Sequence, residues 1–475
     1  MSELHTSTIR SEALDELCSE IIINNKIDTA DYARYGVKRG LRNSDGTGVM
    51  AGLTKVCSVE GYYIIDGERV PKPGRLIYRG IDIEKIVNGC REENRFGFEE
   101  TAWLLIFGTL PTKEQLNKFK SILGECRELP EDFIEDMIMK APSQSVMNKL
   151  SRSVLALYSY DPNPDEITAQ NVLRQCIQIL AQLPSIMNYS YQVKRRHYYK
   201  KSMYLHRSKP ELGTAENILR TLRSDKIFTD EEAKMLDLCM ILHAEHGGGN
   251  NSTFATRVLT STGTDTYSAF AAGIGALKGP RHGGANIKAN EMADLMSQRI
   301  EDVNDEGQVA DYLVKLLNKE EGDRTGLIYG MGHAVYTMSD PRAKILKKAA
   351  KDFCKTEEQI RRFKQLELIE KLTPEVFQKV KGVKKAICAN IDLYSGFIYS
   401  MLRIPDDLFT PIFTVSRIAG WSAHRLEELT TGSKIIRPAY KSVTLPYEYI
   451  KLEDRCLENV AHSDEYIPSV ERIIL

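Results

Sequence analysis

Three histidines in the second half of the chain each lie at a glycine-marked break, and one aspartate follows them. They are His246 in HAEHGGGNNS, His282 in LKGPRHGGAN, His333 in YGMGHAVYTMSDPRA and Asp392 in NIDLYSG. Breaks of this kind are where a scaffold presents side chains to a ligand. Histidine is the side chain best suited to move protons near neutral pH. The pattern therefore predicts acid–base chemistry on a bound small molecule.

Arginines accompany these motifs. Arg281 and Arg342 lie inside two of them, and Arg417 and Arg437 follow further along the chain. Arginine recognises carboxylates through two parallel hydrogen bonds. Proton-transfer groups interleaved with arginines suggest a small substrate that carries more than one carboxylate.

The histidines of the first motif have three interpretations. His243 and His246 lie three residues apart, so they share one face in the last turn of a predicted helix. A helix C-terminus favours positive charge, so His246 could be held protonated or act as a strong donor toward an anion. Alternatively the two histidines cap exposed carbonyls, or they bind a metal together with Glu245. The metal interpretation is the weakest, because the motif lacks the HExxH spacing.

His282 has the opposite environment. It precedes Gly283 and Gly284, which lead into the periodic stretch IKANEMADLM. If that stretch is a helix, its positive N-terminus disfavours an imidazolium. A neutral histidine can then donate a hydrogen bond to a developing enolate, as the neutral histidine of triosephosphate isomerase does. Taken alone, such a histidine is more often an ordinary loop residue.

The sequence around His333 and Asp392 gives weaker indications of their roles. Gly330, Gly332 and the small Ala334 around His333 allow a backbone to approach a bulky ligand, although the segment matches no phosphate-loop consensus. Asp392 begins the predicted helix LYSGFIYSML, where an isolated aspartate is commonly an N-cap.

Composition excludes several classes of protein. The 475 residues include 64 basic and 65 acidic side chains, which gives no electrostatic case for nucleic acid or anionic membrane as a partner. The nine cysteines are scattered without a CxxC pair, which argues against a disulfide framework or a thiolate zinc site. No apolar run reaches the length of a membrane span, and acidic residues near the N-terminus argue against a transit peptide. We expect a cytoplasmic protein.

The predicted fold is mainly α. A short amphipathic helix is expected over 11–24, followed by a glycine-punctuated linker from Gly36 to Gly52. β-Branched and aromatic residues around Asp66-Gly67 predict one minor β-hairpin. After the hairpin, helical periodicity dominates, with helix starts indicated at Thr229-Asp230 and at Ser339-Asp340-Pro341.

Together these motifs resemble one family. HAEHGGGNNSTF, GALKGPRHGGAN, GMGHAVYTMSDPRA, NIDLYSG and TVSRIAGWSAH occur in the order and approximate spacing of the citrate synthase family, and the resemblance covers roughly residues 50–460. It implies a two-domain helical fold and a homodimer or higher oligomer. The domains implied are an N-terminal helix and linker (1–54), a large helical domain (55–284 with 404–475) and a small mobile domain (285–403). The active site would lie in the cleft between the last two.

The resemblance also implies an activity and roles for the motif residues. The family condenses acetyl-CoA with oxaloacetate through an enol(ate) and citryl-CoA, yielding citrate and CoA in the tricarboxylic acid cycle. It is an acyltransferase reaction in which acetyl-CoA is a substrate, and no cofactor or metal is expected. Asp392 matches the base, His282 the donor to the thioester oxygen and His333 the donor to the ketone. Further matches are the oxaloacetate ligands His246, Arg342 and Arg417, and Arg437, which a neighbouring subunit delivers.

The remaining matches concern binding. Asn250 and Phe413 match positions that line the oxaloacetate pocket, and Ser252 matches one that supports His282. A loop matches the segment that wraps the adenine end of CoA: Leu327, Ile328, Tyr329, Gly330, Met331, Gly332 and Ala334.

Several alternatives stay open at the level of sequence. Within the family, 2-methylcitrate synthase uses propionyl-CoA, which differs by one methylene and is hard to discriminate. Outside it, a non-catalytic CoA- or dicarboxylate-sensing protein and a metal-dependent hydrolase are conceivable. Ala389 occupies a position where many relatives carry proline. The basic, tyrosine-containing stretch 195–209 is a solvated surface, a contact for CoA phosphates or an RNA-binding patch.

Overall fold

Helices dominate the part of the chain that the computed structural model describes, namely residues 27–43, 45–382, 386–432, 434–444 and 449–456. The predicted fold class is confirmed. The helix expected over 11–24 lies outside the described residues. The chain divides into two units, Met1–Lys434 and Ile435–Leu475, and the helices and sheet described below belong to the first. The domain boundary expected at 285–403 stays a prediction.

A small antiparallel sheet follows the first short helix of this unit. Its strands are β1 (Cys57–Ile65), β2 (Glu68–Tyr78) and the short β3 (Ile81–Asp82), in the order β1-β2-β3. Asp66 and Gly67 join β1 to β2 with φ values of 52° and 79°, as a two-residue hairpin turn with positive φ at both positions requires. The predicted hairpin is confirmed, with β3 as an addition.

Two glycines let the hairpin approach the segment that follows His333. A Cβ built on Gly61 would lie 2.5 Å from the carbonyl oxygen of Val335, and one on Gly74 would lie 2.1 Å from that of Ser339. Any side chain at these positions would force the two backbones apart. The hairpin therefore packs directly against the candidate site.

The α-helices follow the predicted caps. Thr229 forms a capping box with Glu232, and Asp340 accepts a hydrogen bond from the backbone N–H of Arg342 with Pro341 in the first helical position. Both starts are confirmed. In chain order the helices are α1 (Thr29–Arg34), α2 (Ile83–Glu92), α3 (Phe98–Phe107), α4 (Lys113–Glu125), α5 (Val146–Leu157), α6 (Ala169–His197), α7 (Thr214–Leu222), α8 (Asp230–His243), α9 (Asn251–Thr260), α10 (Thr266–Lys278), α11 (Ala285–Arg299), α12 (Glu306–Leu317), α13 (Pro341–Phe353), α14 (Glu357–Lys381), α15 (Asp392–Met401) and α16 (Phe409–Thr431).

Short turns of other helix types connect these elements. A π-helical turn, Ile134–Met139, precedes α5. One 3₁₀ turn, Tyr158–Tyr160, follows α5, and another, Asp406–Leu408, precedes α16. Two further 3₁₀ turns are Arg39–Leu41 and, in the second unit, Leu452–Asp454.

Helix α16 lies at the centre of the core. It packs against α3, α6, α8, α9 and α10, and Trp421 is fully buried on it. Two arginines of the same helix, Arg417 and Arg425, are also fully buried, which charged side chains rarely are without partners. Within the described ranges, no helix has the length and apolar character needed to cross a bilayer.

One hydroxyl ties the sheet to the end of α8. The hydroxyl of Tyr78 donates to the carbonyl oxygen of Glu245 (2.9 Å) and accepts the N–H of the same residue (3.2 Å). Tyr78 is fully buried, so removing the hydroxyl leaves backbone groups unpaired, which costs about 1–3 kcal/mol.

We therefore expect Tyr78→Phe to lower the free energy of unfolding by about 1–3 kcal/mol, measured by urea denaturation. Tyr63→Phe is the matched control, because Tyr63 lies on the neighbouring strand with its side chain about half exposed. That control should change stability by less than about 0.5 kcal/mol. Equal effects of the two substitutions would show that the Tyr78 hydroxyl contributes nothing special.

Candidate active site

The turn after α8 departs from the expected geometry. The helix ends at His243, so His246 lies beyond it and the two histidines do not share a final helical turn. The Nε of Arg417 donates to the carbonyl oxygen of His243 (2.7 Å), and the N–H of Gly420 donates to that of Ala244 (3.2 Å). These bonds from α16 take the carbonyls that a longer helix would have used.

His246 is buried and faces a second histidine. Its Nε2 lies 3.3 Å from the hydroxyl of Tyr336, and its ring centroid lies 5.0 Å from that of His333. Burial and the positive charge of Arg342 hold the pKa of His246 well below its usual range. The interpretation that the helix end holds His246 protonated is wrong, because α8 ends three residues before His246.

The two alternatives for this motif are not supported either. Glu245 accepts hydrogen bonds from the N–H of Gly247 and from Nε2 of His424, while the ring of His243 packs on Phe413 with 4.5 Å between centroids. The three side chains of the proposed metal set therefore turn to different partners. Neither ring nitrogen of His243 has a hydrogen-bond partner in the described chain, so this histidine caps no carbonyl there.

His282 is held in one tautomer by the first turn of α9. The backbone N–H of Ser252 donates to Nε2 of His282 (3.4 Å), and the Ser252 hydroxyl lies 3.1 Å from the same atom. Because a backbone N–H can only donate, Nε2 is an acceptor and the ring proton is on Nδ1. Burial and Arg417 lower the pKa of His282 to about 4. The expected helix follows as α11, and His282 is a neutral donor.

His333 is held in the opposite tautomer. Its Nδ1 accepts the backbone N–H groups of Val335 (3.0 Å) and Tyr336 (3.1 Å), so the ring proton is on Nε2. Its ring stacks on Tyr336 with 4.6 Å between centroids. Burial and Arg342 lower the pKa of His333 to about 4. This histidine is therefore also a neutral hydrogen-bond donor near pH 7.

Asp392 is not the cap of its helix. It is the first residue of α15, and its N–H donates to Oδ1 of Asn390 (2.9 Å). Burial raises the pKa of Asp392 to about 6; Asp340 raises it further, while Arg342 and Arg417 oppose the shift. A carboxylate with a pKa close to neutrality is suited to general-base catalysis.

Asn390 is a site residue that sequence reasoning missed. Besides capping Asp392, its Nδ2 donates to the carbonyl oxygen of Gly332 (2.8 Å), and its N–H donates to that of Gly330 (2.9 Å). The N–H of Gly332 returns a bond to the carbonyl of Cys388 (2.8 Å). These bonds join the His333 loop to the start of α15. The NID triplet alone gave no sign of this pairing, because its partner lies 58 residues away.

The same pairing explains the departure at Ala389. This residue is opposite Met331 in an isolated antiparallel bridge. The hydrogen bonds are made on either side of it, by the carbonyl of Cys388 and the N–H of Asn390. The N–H of Ala389 takes no part in this pairing, so the missing N–H of a proline would remove none of these hydrogen bonds.

Two buried arginines differ in how they are paired. Arg342 donates from Nε and Nη2 to the two carboxylate oxygens of Asp340, at 3.0 and 2.7 Å. Arg417 has its Nε on the His243 carbonyl and its guanidinium 4.6 Å from the ring centroid of Phe413. Its Nη1 and Nη2 are buried and have no hydrogen-bond partner in the described chain. A buried cation left in this state is costly, and a carboxylate ligand would relieve the cost.

The supporting residues make contacts within the chain. Asn250 precedes the first residue of α9, and its Oδ1 lies 3.0 Å from the hydroxyl oxygen of Ser252. The ring of Phe413 contacts both the ring of His243 and the guanidinium of Arg417. The structure thus brings Ser252 to His282 and Phe413 to Arg417, while their contacts with a substrate stay predictions.

The loop expected to bind CoA is only partly presented to solvent. Leu327 and Ala334 are exposed, whereas Ile328 is buried in the core and the hydroxyl of Tyr329 donates to Asp323 (2.6 Å). Gly330 has φ of 79°, and a Cβ on it would lie 2.8 Å from Leu393. Met331 and Gly332, in the same loop, pair with residues 388–390 in the bridge described above. Its role in binding CoA stays a prediction, as does the role of Arg437, which is exposed in the second unit.

The basic stretch 195–209 makes several contacts within the chain. The hydroxyl of Tyr199 donates to Asp407 (2.6 Å), that of Tyr198 to the carbonyl of Pro142 (3.2 Å), and Arg195 lies over the ring of Tyr204. These contacts fit the solvated-surface interpretation, and binding of CoA phosphates or RNA by the stretch stays a hypothesis.

Comparison with known proteins identifies the family. Residues 44–439 match the family described as citrate synthase, C-terminal domain. The chain belongs to the citrate synthase family. Its relatives include the citrate synthase of Synechocystis sp., 32% identical with 90% of this chain and 93% of the relative covered. They also include 2-methylcitrate synthase 1 of Corynebacterium glutamicum, 31% identical with 86% and 96% covered.

Solved structures of the citrate synthase family agree with the fold. The citrate synthase of Thermotoga maritima has a TM-score of 0.67 at 29% identity, and the match covers 86% of this chain and 98% of that one. The protein is therefore an enzyme of an acyltransferase family, so the non-catalytic sensor is no longer needed as an explanation. The relatives carry two names, which leaves the acyl substrate to be proposed.

The pKa values of this citrate synthase family site predict a pH profile. With Asp392 as the predicted base, protonation removes the active carboxylate as the pH falls through about 6, the pKa of Asp392. His282 and His333, with pKa values of about 4, are still neutral in this range. We expect kcat/KM to fall about tenfold for each pH unit below about 6, because this parameter reports ionisation of the free enzyme.

A matched control is Asp407→Asn, which removes a carboxylate from an ion pair with Lys194 (2.6 Å) and should leave the profile unchanged. A fall in kcat/KM that begins only near pH 4.5 would contradict the raised pKa of Asp392.

Proposed function

We propose that this enzyme condenses acetyl-CoA with oxaloacetate and water to give citrate and CoA. The observation that carries the proposal is the set of charge states in the site. Asp392 is a carboxyl with a raised pKa, His282 and His333 carry their ring protons on Nδ1 and Nε2, and two nitrogens of Arg417 have no hydrogen-bond partner among the described residues. This set fits a weak carbon acid reacting with a ketone that carries carboxylates.

The first proposed step is enolisation of the thioester. Asp392 removes a proton from the methyl group of acetyl-CoA while Nδ1–H of His282 donates a hydrogen bond to the thioester oxygen. A thioester methyl is a weak acid, so a carboxylate can deprotonate it only if the oxygen is stabilised at the same moment. Each of the two contributions is worth about 10²–10⁴ in rate. A neutral His282 provides such a donor without leaving a charged imidazolium in a buried site.

The second step joins the two substrates. The enol carbon forms a bond to the ketone carbon of oxaloacetate, and the ketone oxygen receives a proton with help from Nε2–H of His333. Arg342, Arg417 and His246 would hold the two carboxylates and so fix the reacting carbon. A bound dianion would also offset the arginine charges that lower the pKa of His246, so we propose that this histidine becomes a better donor when oxaloacetate binds.

The last step is hydrolysis of citryl-CoA, in which water adds to the thioester carbon and CoA leaves as a thiol. Closure of the predicted small domain (285–403) would exclude water until citryl-CoA has formed. The loop from Leu327 to Ala334 would bind the adenine end of CoA, and Asn250 and Phe413 would line the oxaloacetate pocket. All steps use side chains and water, with acetyl-CoA as a substrate and no cofactor.

We further propose a cytoplasmic homodimer that functions in the tricarboxylic acid cycle, without nucleic-acid or membrane partners. The nine cysteines are scattered along the sequence without a CxxC pair, which fits a reducing compartment. Arg437 would reach the substrate of the partner chain.

Thiol release tests the proposed reaction directly. Acetyl-CoA should release thiol only when oxaloacetate is present, and it should do so faster than propionyl-CoA. Asp392→Asn should lose at least about 10²-fold in turnover while still binding oxaloacetate, as expected when a general base is removed. Faster release from propionyl-CoA would instead identify a 2-methylcitrate synthase, and release without any keto acid would contradict both activities.

The shared site predicts complementation between two inactive chains. Arg437→Ala lacks one carboxylate ligand, and Asp392→Ala lacks the base. In a mixed dimer one site receives both intact groups, so part of the activity should return. The measurement is thiol release from purified heterodimers carrying two different tags, with each parent shown to be folded and dimeric. Heterodimers without activity would exclude a contribution of Arg437 across the interface.

A further inference from the structure

Helix α16 holds the turn that follows α8 at three successive residues. Arg417 contacts the carbonyl of His243, Gly420 contacts that of Ala244, and His424 contacts the side chain of Glu245. Residues three and four apart lie on one helix face, so 417, 420 and 424 form a single stripe along α16. This stripe contacts each residue of the turn from His243 to Glu245, which precedes His246. Only the first of these three has a proposed role in binding substrate.

Glu245 is enclosed at the end of this stripe. Its Oε1 receives the N–H of Gly247 and Nε2–H of His424 (3.1 Å), while Oε2 is buried without a partner in the described chain. A Cβ on Gly420 would lie 2.1 Å from that Oε2, so the missing side chain of Gly420 is what makes room for the carboxylate. Burial favours the neutral acid, but His424 and Arg417 lower the pKa of Glu245 and keep it ionised.

His424 is oriented from its other side by an arginine. Nε and Nη2 of Arg257 lie 3.0 and 2.7 Å from Nδ1 of His424. Since a guanidinium can only donate, Nδ1 is an acceptor and the ring proton is on Nε2, directed at Glu245. Arg257 in turn pairs with Glu427 and Glu428. These hydrogen bonds link Glu245, His424 and Arg257 in a relay, in which Arg257 donates to His424 and His424 donates to Glu245.

We propose that Glu245 and His424 are positioning residues for the oxaloacetate site, holding the 243–250 turn so that His246 and Arg417 meet the keto acid in the right geometry. The inference rests on the proposed function. The turn carries His246 and Asn250, and the His243 carbonyl within it orients Arg417, whose Nη1 and Nη2 have no hydrogen-bond partner in the part of the chain that is described. The residues of the 327–334 loop that are predicted to bind CoA form no hydrogen bond with the relay of Glu245, His424 and Arg257 among the described residues. Its loss should therefore weaken oxaloacetate binding and leave acyl-CoA binding unchanged.

Two substitutions of His424 separate its two hydrogen bonds. His424→Asn keeps an oxygen near the position of Nδ1 for Arg257 but loses the donor to Glu245. His424→Gln keeps a donor near the position of Nε2 for Glu245 but loses the acceptor for Arg257. We expect His424→Asn to raise the Kd for oxaloacetate about tenfold, the effect of one hydrogen bond to a charged group, and His424→Gln to stay within about twofold of the wild type.

Calorimetric titration with oxaloacetate gives the Kd, and steady-state kinetics give the two KM values separately. The KM for oxaloacetate should follow the Kd, with the KM for acetyl-CoA unchanged. Glu245→Gln, which keeps an oxygen for both Gly247 and His424 but removes the charge that strengthens both hydrogen bonds, is a second variant in case His424→Asn does not fold; it should also raise the Kd. If both single variants fold, the variant carrying both substitutions should have a Kd for oxaloacetate no higher than that of the weaker-binding single variant, because both act through one interaction.

An unchanged Kd in folded His424→Asn and Glu245→Gln would overturn the proposal. Equal rises in His424→Asn and His424→Gln would also overturn it, because the Glu245 contact would then not be the one that matters. A wild-type protein that binds no oxaloacetate would instead contradict the proposed function, so the two failures are distinguishable.

Discussion

A buried, half-paired guanidinium sets the electrostatics of the whole site. Arg417 is bonded through Nε only, and its remaining nitrogens are buried without protein partners in the described chain. Its charge helps to keep His246 and His282 neutral and moderates the raised pKa of Asp392. Because a buried cation is tolerated only near compensating groups, the fold surrounds it with the His243 carbonyl, the Phe413 ring and the ionised Glu245. The neutral states of His246 and His282 are thus linked to the same arginine that is proposed to bind the anionic ligand.

The features that could be predicted from sequence are those that depend on neighbouring residues. The turn at Asp66-Gly67 needs positive φ, the Thr229 capping box needs a glutamate three residues on, and Asp340 with Pro341 begins a helix by local hydrogen bonding and fixed φ. The motif histidines could also be located, because glycine permits the breaks on which they lie. In each case the physical cause lies within a few positions of its effect.

What could not be predicted depends on partners far along the chain. The tautomer of His282 is set by Ser252, 30 residues away, and the join between the His333 loop and Asp392 is made by Asn390. The interpretation of His246 as protonated was wrong for the same reason. The end of α8 is bonded to α16, and no local sequence pattern predicts that contact. The stripe of residues 417, 420 and 424 appeared in sequence as the motif TVSRIAGWSAH, yet only its arginine could be given a role there.

The hydrogen bonds of Asn390 join the loop of His333 to the first residue of α15. In the proposed mechanism these two elements carry the ketone donor and the base. A local movement of one element away from the other therefore has to break these hydrogen bonds. A chain built in this way favours the arrival of base and ketone donor together over the arrival of either one alone.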